Sequence, residues 1–224
     1  LGLFVNPFYF ARKGLYQNLL ALTPHLKGKL LDIGCGTKPY KDILNVDKYI
    51  GLEIDDEGSR NHQHADIFYD DRVIPFEDQY FDSVLSNQVF EHVFNLDDFL
   101  KEANRVMKIY ALFIISTPFL WDEHEQPYDY ARYSSFGLKH ILHKNGFEVV
   151  KQRKSNNGLE LIFQLINAYI YKITLSKNRY FNLFVILLIM APANIIGLIM
   201  SKIFPRNNDL YLDNIVLAKK VNDI

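Results

Sequence analysis

Leu30-Leu31-Asp32-Ile33-Gly34-Cys35-Gly36-Thr37-Lys38-Pro39-Tyr40 decides the fold, because a buried-strand run passes directly into a glycine turn. In an open α/β sheet such a turn lies in the crevice beyond the carboxyl end of the strand, where ligands bind. Glycine lets the backbone approach a ligand where a Cβ would collide. Asp32 is an odd residue for a purely structural turn at a strand end, so the stretch reads as a ligand loop. Pro39 stands where a dinucleotide fingerprint needs a third Gly or Ala, and no phosphate-loop Gly-Lys-Ser/Thr follows. Nicotinamide and nucleoside-triphosphate chemistry are therefore disfavoured.

Outward from this turn, Tyr49-Ile50-Gly51-Leu52-Glu53-Ile54-Asp55 ends a second strand in a carboxylate. Glu53 can accept hydrogen bonds from two vicinal ribose hydroxyls, or be a solvated strand end. Ala65-Asp66-Ile67 reads as a third acidic strand end, with Asp66 accepting from an adenine amino group and Ile67 packing on the ring. Three acids at three successive strand ends make a nucleoside site. Strands are expected at 29–33, 49–54, 64–67, 81–86, 111–117, 147–151 and 210–219, alternating with helical patterns over the first six. Leu96, Phe99, Leu100, Ala103 and Val106 form a helical stripe that Asn95 can cap. Residues 135–145 form a second such helix, stopped by Asn145-Gly146.

Composition agrees with one globular core in 224 residues: 49% hydrophobic and 23% charged. The formal net charge of -1 gives no general attraction for a phosphate backbone, so nucleic acid is not an expected partner. A single cysteine, Cys35, forms no internal disulfide and no cysteine cluster for zinc, which fits a reducing compartment. No basic, apolar leader pattern is read at Leu1. The expected location is cytoplasmic, at most peripheral on the inner face of the membrane.

From about Pro24 to Lys151, with a final strand at 210–219, the sequence resembles the class I S-adenosylmethionine-dependent methyltransferases. Leu31-Asp32-Ile33-Gly34-Cys35-Gly36 is similar to the first motif of that family, Gly51-Leu52-Glu53-Ile54 to its ribose-binding second, and Asp66 to its adenine-contacting acid. The stretch from Ile74 to Val84 resembles the approach to the fourth strand, and Asn87-Gln88-Val89-Phe90-Glu91-His92-Val93 its usual tail. The resemblance implies a Rossmann-like seven-stranded α/β sheet, an enzyme, and S-adenosylmethionine as cofactor. It implies a cofactor site at Asp32, Gly34, Cys35, Gly36, Lys38, Glu53, Ile54, Asp66, Ile67, Asn87 and Gln88. Lys38 pairs with the methionine carboxylate in one reading and is a solvated turn lysine in the other. Lys108-Ile109-Tyr110-Ala111 replaces the usual Lys-Pro-Gly-Gly turn before the fifth strand.

After that strand, Trp121 to Tyr133 resembles the His…Pro-Tyr-Asp-Tyr-x-Arg-Tyr loop of one family branch, often associated with glycan or natural-product methylation. It implies acceptor contacts from Tyr128, Tyr130, Arg132 and Tyr133. His124 and His92 are the candidate general bases. The alternatives are a loop pairing of His124 with Glu123 or Glu125, a backbone cap by His92, and an ion pair of Arg132 with Asp129. No His-x-x-x-His spacing is present, so no metal is expected. The expected acceptor is a small molecule, foremost a saccharide hydroxyl. The rivals are a lipid or quinone acceptor and a non-catalytic interaction protein on the same fold.

Residues 181–201 carry no charged side chain. They are long enough to span a bilayer, yet a single crossing would strand the last strand away from the sheet. Pro192 favours two short helices or a kinked one. The reading is therefore an N-terminal helical segment over 1–28, a core over 29–158 and 209–224, and an apolar helical insertion over 159–208. That insertion is expected to cap the acceptor pocket, lie in a membrane interface, or join a homodimer.

Overall fold

The computed structural model describes residues 1–55 and 64–224. Seven strands form one sheet: β1 (Lys29–Ile33), β2 (Lys48–Ile54), β3 (Ile67–Tyr69), β4 (Phe81–Asn87), β5 (Met107–Pro118), β6 (Phe147–Lys154) and β7 (Asp213–Lys220). Their order is β3-β2-β1-β4-β5-β7-β6. Strands β1 to β5 pair in parallel. β7 runs against β6, because Ser155 N–H donates to Asp213 O at one end of the pair and Val221 N–H to Gly146 O at the other. This is the Rossmann-like seven-stranded sheet expected from the sequence, with the helical insertion before its last strand. Strand order reverses between β1 and β4, so the segments that follow them diverge and open a crevice beyond their carboxyl ends.

Hydrophobic burial holds the sheet together. Leu31, Ile33, Val84, Phe113, Ile115 and Val216 are almost wholly buried in one cluster. Helix α3 (Leu96–Val106), following α1 (Gly2–Val5) and α2 (Tyr9–Leu22), contributes the predicted stripe to that cluster, with Leu100, Ala103 and Val106 fully buried. α4 (Ser135–Lys144) is capped by the Ser134 side chain, which accepts from Gly137 N–H, and ends at Gly146 in the left-handed region.

Four local features differ from the sequence reading. β3 begins at Ile67, where the β-branched and aromatic run Ile67-Phe68-Tyr69 starts, so Asp66 precedes its amino end. Lys108-Ile109-Tyr110-Ala111 is a bulge inside β5: Phe81 pairs with Met107 but Ser83 with Leu112, and Tyr110 takes φ 67°, a conformation usually left to glycine. The Asn95 side chain accepts no capping hydrogen bond; its amide instead donates to Asp98. Pro192 does not split the long apolar helix. Arg179–Ile203 continues through α6 (Arg179–Val185), a π-helical turn (Ile186–Met190) and α7 (Ala191–Ile203), and Ala191 N–H reaches back to Ile186 O. The wide turn relieves the ladder where proline supplies no N–H.

The chain divides into two compact units, Leu1–Gln17 with Lys154–Asp213, and Asn18–Arg153 with Asn214–Ile224. The sequence reading sets residues 1–28 apart; in the structure the first seventeen belong with the insertion. Buried amides explain this grouping. Gln164, on α5 (Leu159–Thr174), accepts from Ala11 N–H and donates to Pro7 O, while Asn156 donates to Phe10 O and Asn194 to Leu3 O.

In the sheet unit, the wholly buried Lys220 ends β7 and donates to Asn104 O and Met107 O at the carboxyl end of α3, at 2.7 and 2.8 Å. It also pairs with Asp223. Lys220→Ala leaves those carbonyls without this donor and is expected to cost roughly 1–3 kcal/mol in denaturant melts.

Candidate functional site

The crevice beyond β1 and β4 contains two adjoining clefts that share Gly34 and Gly36 as a common wall. The smaller, about 250 Å³, is lined by Asp32, Cys35, Thr37, Pro39, Tyr40 and Asn87. The larger, about 870 Å³, runs past Glu53, Ile54, Asp71, Gln88 and His92 to Glu125, Tyr128 and Tyr130. Both glycines are required by geometry. Gly34 has φ +72° and a Cβ there would fall 2.4 Å from Val89 Cγ2. Gly36 has φ +48° and faces open space, so its backbone is bare to whatever fills the cleft.

Carboxylates set the electrostatics. Asp32 is almost fully buried and accepts from Tyr49 O–H at 2.6 Å. Desolvation pushes its pKa up to about 7, against the lowering effect of that hydrogen bond. Burial also pushes the Cys35 thiol up to about 12, so Cys35 contributes backbone and not a nucleophile. Glu53 accepts from Gly36 N–H at 2.8 Å and so ties the end of β2 to the glycine turn.

Asp66 does not line either cleft. It accepts from Gly51 N–H at 2.7 Å and pairs with Lys38 Nζ at 2.8 Å, an engagement that holds its carboxyl below the usual range despite desolvation. Lys38 is therefore occupied in bracing the turn, and Ile67 is likewise absent from both linings. Because β2 ends opposite Tyr69, the acids at the carboxyl end of β3 are Asp70 and Asp71, and Asp71 lines the larger cleft. Sequence reasoning missed Asp71 by placing the strand three residues too early. Asn87 and Gln88 are fixed by Ser116, whose hydroxyl donates to Asn87 Oδ1, while Gln88 N–H donates to Ser116 O.

On the acceptor side the loop residues separate. Tyr128 and Tyr130 face the larger cleft, and Tyr130 meets Phe94 edge to face at 5.3 Å. Arg132 is committed to Asp129, bonding both of its carboxylate oxygens and so holding Asp129 well below the usual carboxylate range. Tyr133 packs against the core and its carbonyl accepts from Asn214. His124 Nδ1 lies 3.2 Å from both Asp122 O and Asp129 Oδ2. His92 Nδ1 lies 2.8 Å from Tyr128 O. A carbonyl only accepts, so Nδ1 of His92 is the donor there, while its Nε2 lies 3.9 Å from Glu91 Oε1 and 3.8 Å from Glu125 Oε2. The two imidazoles meet edge to face at 4.8 Å. Glu91, His92 and His124 bring possible ligand atoms within 4.8 Å of one another, a juxtaposition of two loops that linear spacing does not reveal.

A mixed seven-stranded sheet whose strand order reverses at a glycine turn, with carboxylates bordering that turn, defines an α/β protein with a ligand-sized crevice at its switch point. Residues 8–152 match the family model described as a methyltransferase domain, and the chain belongs to that family. It is an S-adenosylmethionine-dependent methyltransferase. No curated protein sequence matches it. Among solved structures it is similar to a SAM-dependent methyltransferase from Archaeoglobus fulgidus, with 20% identity, 95% of this chain and 96% of that one covered, and a TM-score of 0.60. It is also similar to phosphoethanolamine N-methyltransferase 2 of Haemonchus contortus in complex with S-adenosyl-L-methionine (16% identity, 92% of this chain, 52% of that one, TM-score 0.56). The [4+2]-cyclase SpnF shares the fold as well, at 18% identity over 92% of this chain and 80% of its own, TM-score 0.56.

The raised pKa of Asp32 has a definite sign. Its folded state holds a proton that the unfolded chain releases near the ordinary carboxylate value, so its contribution to stability is full in acid and is lost as pH rises toward about 7. Asp32→Asn in the ligand-free protein should therefore gain stability relative to wild type between pH 4 and pH 8, measured by paired thermal melts. A constant difference across that range would contradict a buried, proton-holding Asp32.

Proposed function

We propose that the chain methylates a neutral hydroxyl of a saccharide or related small metabolite. The observation that carries this reading is the single larger cleft, which joins Gly34, Gly36 and Glu53 to His92, Tyr128 and Tyr130. S-adenosylmethionine, when bound, supplies an electrophilic methyl group on a sulfonium. Asp32, beside Gly34 and Gly36 in the smaller cleft, is suited to the cationic methionine portion of that molecule. Glu53 is suited to ribose hydroxyls and Asp71 to the adenine amino group, the role that the sequence pattern assigns to Asp66.

His92 is the better base of the two candidates. Its Nδ1–H is held by the Tyr128 carbonyl, its Nε2 lies beside the Glu91 and Glu125 carboxylates, which favour a proton taken up there, and it lines the cleft. His124 does not line that cleft and acts here by packing its ring against His92. The acceptor chemistry follows from the walls. Among the described lining residues of the larger cleft there are Glu53, Asp71 and Glu125 but no Lys or Arg. With Arg132 engaged by Asp129, an acidic acceptor finds no cation, whereas exposed tyrosine rings and carboxylates suit a polyhydroxylated ring. The same acidic lining favours an amine as the second reading.

A labelled-methyl screen against soluble and membrane extracts, with the product located by mass spectrometry, tests the acceptor. An O-methylated saccharide is the expected product; an N-methyl product would select the second reading. Glu53→Ala should weaken S-adenosylmethionine binding by about 10- to 100-fold in equilibrium titration. His92→Ala should lower kcat by roughly 10²- to 10⁴-fold while cofactor affinity stays within about twofold. Equal loss of both in the His92 variant would assign that residue to structure.

A further inference from the structure

The unit containing the insertion carries an apolar face that its own packing leaves open. Only 28% of the most apolar window of the Arg179–Ile203 helix is buried. Phe181, Phe184, Leu188, Ile196, Ile199 and Ile203 recur along it mostly at three- and four-residue steps, 46–70% exposed. α5 adds a parallel stripe of Ile162, Ile166, Tyr169 and Ile173, also exposed. The buried sides of the two helices face each other, with Asn167 donating to Asn194 Oδ1 between them. These stripes exceed scattered surface residues and mark an interaction surface.

Topology limits how that surface can meet a membrane. The insertion leaves the sheet after β6 and returns to β7, and Ser155 and Asp213 are hydrogen-bonded neighbours at that junction. Both ends therefore lie on one side, which excludes one crossing. Two crossings would need α5 as the second span. Its 16 residues rise only about 24 Å, short of the roughly 30 Å hydrocarbon core. The remaining mode has no crossing, with both helices lying along the surface.

Charge selects the occupant. Between residues 159 and 208 the cations are Lys172, Lys177, Arg179, Lys202 and Arg206, against Glu160 alone. Three of them bracket the α5–α6 turn, Lys202 lies in the last turn of the long helix and Arg206 follows it, while nothing charged interrupts the apolar run between. A twofold contact between copies through this face would set these cations against one another with almost no acid to offset them. Anionic headgroups complement them, and long basic side chains reach headgroups from both ends of a buried apolar stripe.

We propose that this face rests in the headgroup region of an anionic bilayer, with α5 and the Arg179–Ile203 helix parallel to the surface and neither crossing it. The test is flotation of the full chain with vesicles of phosphatidylcholine alone or with about one third phosphatidylglycerol. Strong flotation with the anionic vesicles, weakening as salt rises, is expected. Phe184→Ser with Leu188→Ser should reduce it at least tenfold without changing S-adenosylmethionine affinity. Lys177→Gln and Arg179→Gln each should weaken it about fivefold, and these exposed sites keep the test valid if the serine variant misfolds. Equal binding to both vesicle types, failure to bind either, or a dimer in light scattering that the serine variant dissociates would overturn the proposal. Protection of the α5–α6 turn from protease outside sealed vesicles would overturn the surface-parallel arrangement.

Discussion

The parallel pairing of β1 on both edges is the constraint from which the site follows. With β2 on one side and β4 on the other, the chain leaving β1 has no strand to follow and must turn at once. Two consecutive demands then fall on the same few residues: positive φ at Gly34 and Gly36, and no Cβ where Val89 closes over the turn. The reversal of strand order provides the space, and the glycines leave backbone facing it. Glu53 completes the arrangement from β2 by accepting Gly36 N–H, so one carboxylate both shapes the turn and borders the cleft.

The acids around this turn divide by solvation. Asp32 is sealed into the sheet with one phenolic donor, and its burial is tolerated because it holds a proton up to about pH 7. Asp66 is more open, has a lysine and a backbone N–H as donors, and stays ionised below the usual range. The contrast separates a carboxyl that burial pushes toward its neutral form from one kept charged by the donors of its own loop. It also explains why Lys38, though adjacent to the glycines, is not available at the cleft.

The fold is legible in the sequence because its signals are short-range. β1, the stripe of α3 and the glycine stop after α4 each follow from burial period or backbone conformation within a few residues, and they appear within a residue or two of expectation. The departures arise where a tertiary partner decides. Asp66 reads as a strand end until Lys38 and Gly51 are seen to hold it, and Asp71 becomes visible only once β3 is in register with β2. Arg132 offers the same guanidinium to an acceptor or to Asp129, and only the bidentate geometry decides between them. The meeting of His92 and His124 depends on two loops that share no local pattern.

A near-neutral chain can still be strongly polarised, and the division into units exposes this. Leu1–Gln17 with Lys154–Asp213 contains Arg12, Lys13, Lys154, Lys172, Lys177, Arg179, Lys202 and Arg206 against Glu160, Asp209 and Asp213. The sheet unit must then carry a net excess of acid, since the whole chain is at -1. The average thus hides a basic, apolar unit joined to an acidic one. The carboxylates of the sheet unit gather beside the cleft at the glycine turn, and the cations of the other unit stand at the rim of its apolar face. A charge taken over the full length excludes a uniform polyanion-binding surface, but it does not describe the field that either unit presents.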